Sequence, residues 1–246
     1  MPENLDIATR LQQVVLRVRA AEERFGRQSG CVQILPVSKT RPPEDIAQVA
    51  KAGFTAFGEN YLQEAQEKIM TLTSMKLQWH FIGPIQSNKT QTIANLFHWV
   101  HSVDREKIAR RLNEQRPEKL PPLNVCLQVN ISGEKSKSGI KPSALSDLAS
   151  CILELPRLRL RGLMAIPAPS SDFEKQRATF KAIHEIFDSL KQELGNLGRQ
   201  EGVVDTLSMG MSNDLEAAIA EGSTMVRIGT DIFGPRNTSA GHISTE

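Results

Sequence analysis

The sequence predicts an α/β fold: a single (β/α)8 TIM barrel with an extra N-terminal helix. Three observations lead there. Eight short apolar runs, each long enough for a strand, recur along the chain. Segments of helical periodicity separate them, which is the pattern of a parallel sheet built from β-then-α units. The chain has 246 residues and no Pro- or Ser-rich linker, which suits one barrel of roughly 250 residues. A doubly wound open sheet is the competing architecture. The expected organisation is one barrel domain over residues 1–236 and a polar tail over 237–246.

The elements follow in order. Residues 3–25 form an amphipathic helix with Leu5, Leu11, Val15, Val18 and Phe25 on one broad face. The strand candidates are Val32–Ser38, Phe54–Phe57, Leu77–Ile82, Trp99–Ser102, Asn124–Asn130, Leu160–Ile166, Thr206–Ser208 and Met225–Ile228. Helices are expected near 43–52, 60–72, 87–96, 104–115, 142–154, 172–194 and 212–221. Pro42–Pro43, Asp104 and the Ser212-Asn213-Asp214 run are start signals. Gly53 and Gly222 lie just past helical patterns, where a left-handed cap is expected.

Composition excludes several function classes. A hydrophobic fraction of 39% with 24% charged residues rules out a disordered chain. A net charge of +2 gives no footprint for a nucleic acid. No apolar run approaches the ~18 residues that cross a bilayer, so no membrane partner is expected. The first 25 residues mix both charge signs at helical spacing, unlike a secretory signal. Cys31 and Cys126 sit in apolar runs, and Cys151 lies far from both. Buried free thiols in a reducing compartment, the cytoplasm, are the expectation.

A barrel works at the C-terminal ends of its strands. Lys39 ends the apolar run ILPVSKT. Its stem would lie among buried side chains with the amine at the mouth, where desolvation frees a nucleophilic amine able to form an imine. A lysine snorkelling into solvent is the bland alternative. In LSMGMSND, Ser208 and Gly210 place a hydroxyl and a permissive backbone at the next-to-last strand end. In VRIGTDIFG, Gly229 and Thr230 do the same at the last. Barrels commonly hold phosphate with the loops after strands seven and eight; a capped helix accounts for the first segment without any ligand. Arg227 lies between Val226 and Ile228, so it points away from both, into the barrel if they face the helices. There it needs a partner, either a carboxylate or an aromatic nitrogen of a ligand.

Weaker signals surround these. His80 reads as a core histidine, and His98 and His101 lack a third ligand nearby, so no metal site is expected. The Asn130–Ile140 loop, with Lys135 and Lys137, could serve as a lid or docking surface. Arg157, Arg159 and Arg161 alternate at one strand start and could form a positive patch.

Taken together, VSKT, FGENY, WHFIGPIQSNK, VNISGEKSKSG, RGLMAIP, LSMGMSND and STMVRIGTDIFG resemble the pyridoxal phosphate homeostasis protein family, in order from about Val37 to Gly234. The resemblance implies a barrel like the N-terminal domain of alanine racemase, of the PLP fold type III class. It implies pyridoxal 5′-phosphate (PLP) held as a Schiff base on Lys39, with the phosphate at the segments containing Ser208, Gly210, Gly229 and Thr230. Arg227 would sit against the pyridine nitrogen and Asn60 beside the ring. The implied role is PLP buffering or transfer in intracellular PLP homeostasis, with no catalytic residue and PLP-dependent apo-enzymes as candidate recipients. The alternative is a PLP-dependent amino-acid racemase. That chemistry needs a second base opposite Lys39, and Tyr61 is the chain's single tyrosine. A chain ending at 246 leaves no room for a racemase second domain, so a monomer is the expectation. A phosphosugar aldolase using Lys39 without a cofactor is a third reading.

Overall fold

The computed structural model describes residues 5–131, 138–196 and 204–235. The expected tail over 237–246 lies outside them, as do Lys135 and Lys137 of the Asn130–Ile140 loop. Helix α1, Ile7–Arg24, comes first, and the Asp6 carboxylate accepts from the Thr9 N–H to cap it. Leu11, Val14, Val18 and Ala21 are buried along its inner face, and a fully buried Val or Leu contributes about 1.5–3 kcal/mol.

Strands and helices then alternate: β1 Gln33–Pro36, α2 Pro43–Lys51, β2 Ala56–Glu59, α3 Leu62–Thr71, β3 Gln78–Phe81, α4 Thr90–Leu96, β4 Trp99–Val103 and α5 Glu106–Gln115. The second half runs β5 Leu123–Val129, α6 Leu145–Leu153, β6 Leu158–Ala165, α7 Phe173–Asn196, β7 Thr206–Ser208, α8 Leu215–Ala220, β8 Met225–Ile228 and α9 Thr230–Phe233. All eight strands are parallel, in the order β1-β8-β7-β6-β5-β4-β3-β2. β1 pairs in register with β8, from Gln33 opposite Met225 to Pro36 opposite Ile228. A bridge between Val37 and Gly58 joins the two ends of the sheet, so the strands form a nearly closed barrel.

The expected alternation of strand and helix holds, with local differences. β2 begins two residues later than expected and runs through Gly58 and Glu59. Local propensity disfavours both residues in a strand, but pairing with β3 and burial of Glu59 against Lys68 override it. α9 is too short to announce itself by periodicity. Asp104 does not cap α5; Arg105 occupies that position and pairs with Asp104 instead. Gly53 and Gly222 adopt φ of +97° and +91°, as left-handed caps require. Cys31 is exposed, contrary to expectation, because β1 begins two residues beyond it; Cys126 is buried and Cys151 half-buried.

Val226 and Ile228 face the helices, as do Trp79, Val100, Leu163 and Leu207. The opposite faces fill the barrel. Leu35, Ala56 and Met225 form one interior cluster, and Trp99, Cys126 and Met164 another. Above them runs a polar chain. Arg227 Nη1 donates to Ser208 O (2.6 Å) and Oγ (2.9 Å), and Nη2 to Ala165 O (2.9 Å). Ser208 Oγ lies 3.1 Å from His101 Nδ1, and His101 Nε2 lies 3.0 Å from His80 Nδ1. His80 is thus a core histidine, stacked on Trp99. Of the three arginines at the start of β6, two are paired with carboxylates: Arg161 with Asp205, where it also covers Trp99, and Arg157 with Glu118. Among the described residues no helix is long and apolar enough to cross a membrane.

Burial, and then the Arg227 cation, pushes His101 down to about 3; burial also holds His80 well below the usual imidazole value. Both rings are neutral when folded. Unfolding exposes them to protonation near their ordinary value of 6.5. The unfolded state therefore binds more protons below that pH, and stability falls as pH drops from there toward the folded value. For His101 the expected loss by about pH 5 is about 2 kcal/mol, and His80 adds in the same direction. Urea unfolding at pH 7 and pH 5 checks this, and a His101→Asn chain should show a shallower dependence.

Candidate functional site

A cavity of about 350 Å³ opens at the C-terminal end of the strands. Five of the seven expected site residues line it: Lys39, Asn60, Arg227, Gly229 and Thr230. They come from the ends of β1, β2 and β8, so closure of the ring brings residues 39 and 229 together. Ser208 and Gly210 do not line it. Ser208 is fully buried and engaged with Arg227 and His101. Gly210 has φ +93°, and a Cβ there would lie 2.5 Å from Ala218 Cβ. Its carbonyl accepts from the Arg227 N–H at 3.0 Å. Both are hydrogen-bonded to Arg227, which does line the cavity. Sequence reasoning did not place Gln176 or Asp214 at the cavity, although Met211 to Asp214 form its wall after β7. Gln176 donates to Ser170 O (2.6 Å) and Asn213 O (3.3 Å), linking two lining loops.

Lys39 lies three residues beyond β1, half-buried, in a segment fixed from behind. Lys68, on α3, is buried and donates to Ser38 O (2.7 Å), to Glu59 Oε1 (2.7 Å) and to Glu64. Ser38 Oγ donates to Glu59 Oε1 at 2.6 Å, and the Thr40 N–H to Glu64 Oε1 at 2.5 Å. Both chain neighbours of Lys39 are therefore anchored to the same charged cluster. Thr40 has φ of 64°, unusual for a β-branched residue. Burial pushes the Glu59 carboxyl above its usual value, opposed by Lys68 and Ser38.

Arg227 is held in the interior by three oxygen contacts. Burial pushes its pKa down to about 10, against the opposite pull of Asp214, so it remains a cation at neutral pH. Burial raises the Asp214 carboxyl, which accepts from the Met211 N–H at 2.6 Å. Asn60 is set by close packing. A Cβ at Gly83 would lie 2.1 Å from Asn60 O, so only glycine permits that approach. Asn60 Oδ1 is buried without a partner.

Removing the Lys68 charge tests the anchor. Lys68→Met leaves Glu59 buried without its cation and should cost about 3–5 kcal/mol in urea unfolding. Adding Glu59→Gln should recover part of that loss.

Comparison with known proteins agrees with this geometry. Residues 10–237 match the family model described as alanine racemase, N-terminal domain. A pyridoxal phosphate homeostasis protein of Pseudomonas aeruginosa is 55% identical over 234 residues, covering 95% of this chain and 97% of the relative. The structure of PipY from Synechococcus elongatus with PLP bound superposes with a TM-score of 0.79 at 33% identity, covering 93% of this chain and 100% of that one. Alanine racemase from Corynebacterium glutamicum shares the fold at a TM-score of 0.64 and 16% identity, covering 96% of this chain and 64% of that one. On the strength of near-full-length identity above half, the chain belongs to the pyridoxal phosphate homeostasis protein family, built on the barrel of the alanine racemase N-terminal domain.

Proposed function

We propose that this chain binds pyridoxal 5′-phosphate, captures its aldehyde on Lys39 and acts in intracellular homeostasis of that cofactor. One observation carries the reading: an amine, a buried cation and a Gly-Thr turn, from the two strands that close the barrel, line one cavity. The residues fit the group. Asn60 Oδ1 is an unpartnered acceptor suited to a ligand donor. Gly229 and Thr230 offer backbone and hydroxyl donors to a phosphate, together with the Met211–Asp214 segment. Lys39 would condense with the aldehyde, expelling water. Bound there, the cofactor supplies an electrophile that an incoming amine can take over, which is how it would leave.

Arg227 favours holding over turnover. If the ring binds with its pyridine nitrogen toward Arg227, that permanent cation would oppose its protonation, and an unprotonated ring is a poorer electron sink. The names of the close relatives favour the same reading over a racemase. The proposal extends to a monomer in the cytoplasm, where Cys31, Cys126 and Cys151 remain free thiols, and to PLP-dependent apo-enzymes as recipients.

Borohydride reduction followed by peptide mass spectrometry is the direct test. Wild type should carry the reduced cofactor on the Lys39 peptide, and Lys39→Ala should carry none. An adduct on a different lysine would overturn the assignment. Saturating PLP should also raise the wild-type melting temperature, since binding to the native state stabilises it by mass action.

A further inference from the structure

Helix α1 precedes the barrel and lines no part of the cavity, yet it reaches both loops that form the expected anion-binding side. Arg17, in the middle of α1, is about one-third exposed. Its Nε and Nη2 both engage Glu216, the latter at 2.7 Å from Oε2. Its Nη1 donates to Asp231 Oδ2 at 2.9 Å. Glu216 lies two residues beyond Asp214, the last cavity-lining residue of the β7–α8 loop. Asp231 directly follows Thr230, which with Gly229 lines the cavity at the start of α9. One guanidinium therefore ties together, from outside, the first turns of α8 and α9, which directly follow the two segments that converge on the cavity.

The geometry needs arginine. A planar fork of five donors can chelate one carboxylate and still reach a second, whereas an ammonium on a flexible stem cannot hold both in a fixed plane. The charges also matter. Glu216 and Asp231 stand just behind loops that would receive a phosphate, and Asp214 lines the cavity itself. Hydrogen bonding to Arg17 holds the Glu216 carboxyl below its usual value despite burial, so it is an anion at neutral pH. Without Arg17, two uncompensated carboxylates would remain behind the anion-binding side, and the starts of α8 and α9 would lose their common tether.

We propose that Arg17 is a positioning residue for the phosphate group, and that it sets the preference of this site for pyridoxal phosphate over unphosphorylated pyridoxal. This rests on the PLP-binding reading above. Because Arg17 touches neither Lys39 nor Arg227 among its hydrogen bonds, capture of the aldehyde itself should not depend on it.

The test is a titration of the full chain with PLP and with pyridoxal, each followed by absorbance, and with inorganic phosphate as competitor against pyridoxal phosphate. Arg17→Gln should weaken PLP binding about tenfold and leave pyridoxal binding within about twofold, a selective loss. Competition by inorganic phosphate should weaken in parallel. Arg17→Lys keeps the charge and most of the stem, and should show an intermediate selective loss even if the glutamine variant folds poorly. Ligand-free melting temperatures are read alongside. Equal losses for both aldehydes, or no loss for either, would overturn the role of Arg17. A wild-type chain that binds PLP no better than pyridoxal would instead sink the reading of the cavity itself.

Discussion

The structure depends on closure of one ring of strands. β1 and β8 lie some 190 residues apart in sequence, yet they pair in register over four positions, and Val37 bridges to Gly58 across the remaining seam. Every feature of the mouth follows from that closure. Lys39 leaves β1 beside the loop that leaves β8, so the amine and the Gly229–Thr230 turn face one space. An open sheet would carry the same two segments on separated edges and hold no cavity between them.

The interior of the ring is unusual in its polarity. A guanidinium, a hydroxyl and two imidazoles occupy positions that most barrels fill with branched aliphatics. Burying them is tolerated because most of their polar atoms pair with one another and with neighbouring carbonyls, His80 Nε2 being left without a partner. The imidazoles stay neutral chiefly because burial disfavours their charged form, and for His101 the Arg227 cation adds to that. The outcome is a single positive charge fixed beneath the cavity. Apolar layers at Leu35, Ala56 and Met225, and at Trp99, Cys126 and Met164, pack the rest of the interior.

Two charged clusters brace the mouth from the helix side. Lys68 gathers Glu59, Glu64 and the Ser38 carbonyl beneath the Lys39 segment. Arg17 gathers Glu216 and Asp231 behind the last two loops. Both place a long cationic side chain among carboxylates that belong to different elements. Such contacts fix the relative position of loops whose own backbones are irregular, which is what a site built from loop segments requires.

Some of this was legible in the sequence. Strand and helix periods marked the elements, and eight alternations marked the barrel. Period-two alternation alone put Arg227 on the face opposite Val226 and Ile228, and strand-end position marked Lys39, Gly229 and Thr230. Ser208 looked like a ligand donor because a hydroxyl at a strand end has no visible partner in sequence; its partners, Arg227 and His101, come from other strands. Lys68 and Arg17 gave no local signal, since a lysine or arginine on a helix reads as solvated; Gly83 marked a strand-end loop, but its close approach to Asn60 was not visible there. Cys31 and the start of β2 were misplaced for the same reason, burial being decided by neighbours far along the chain. Local pattern fixes the type of each element and the face each residue takes, because those depend on backbone geometry over a few residues. Which faces meet, and which charges find each other, was decided only when the ring closed, because those contacts join residues that no local period relates.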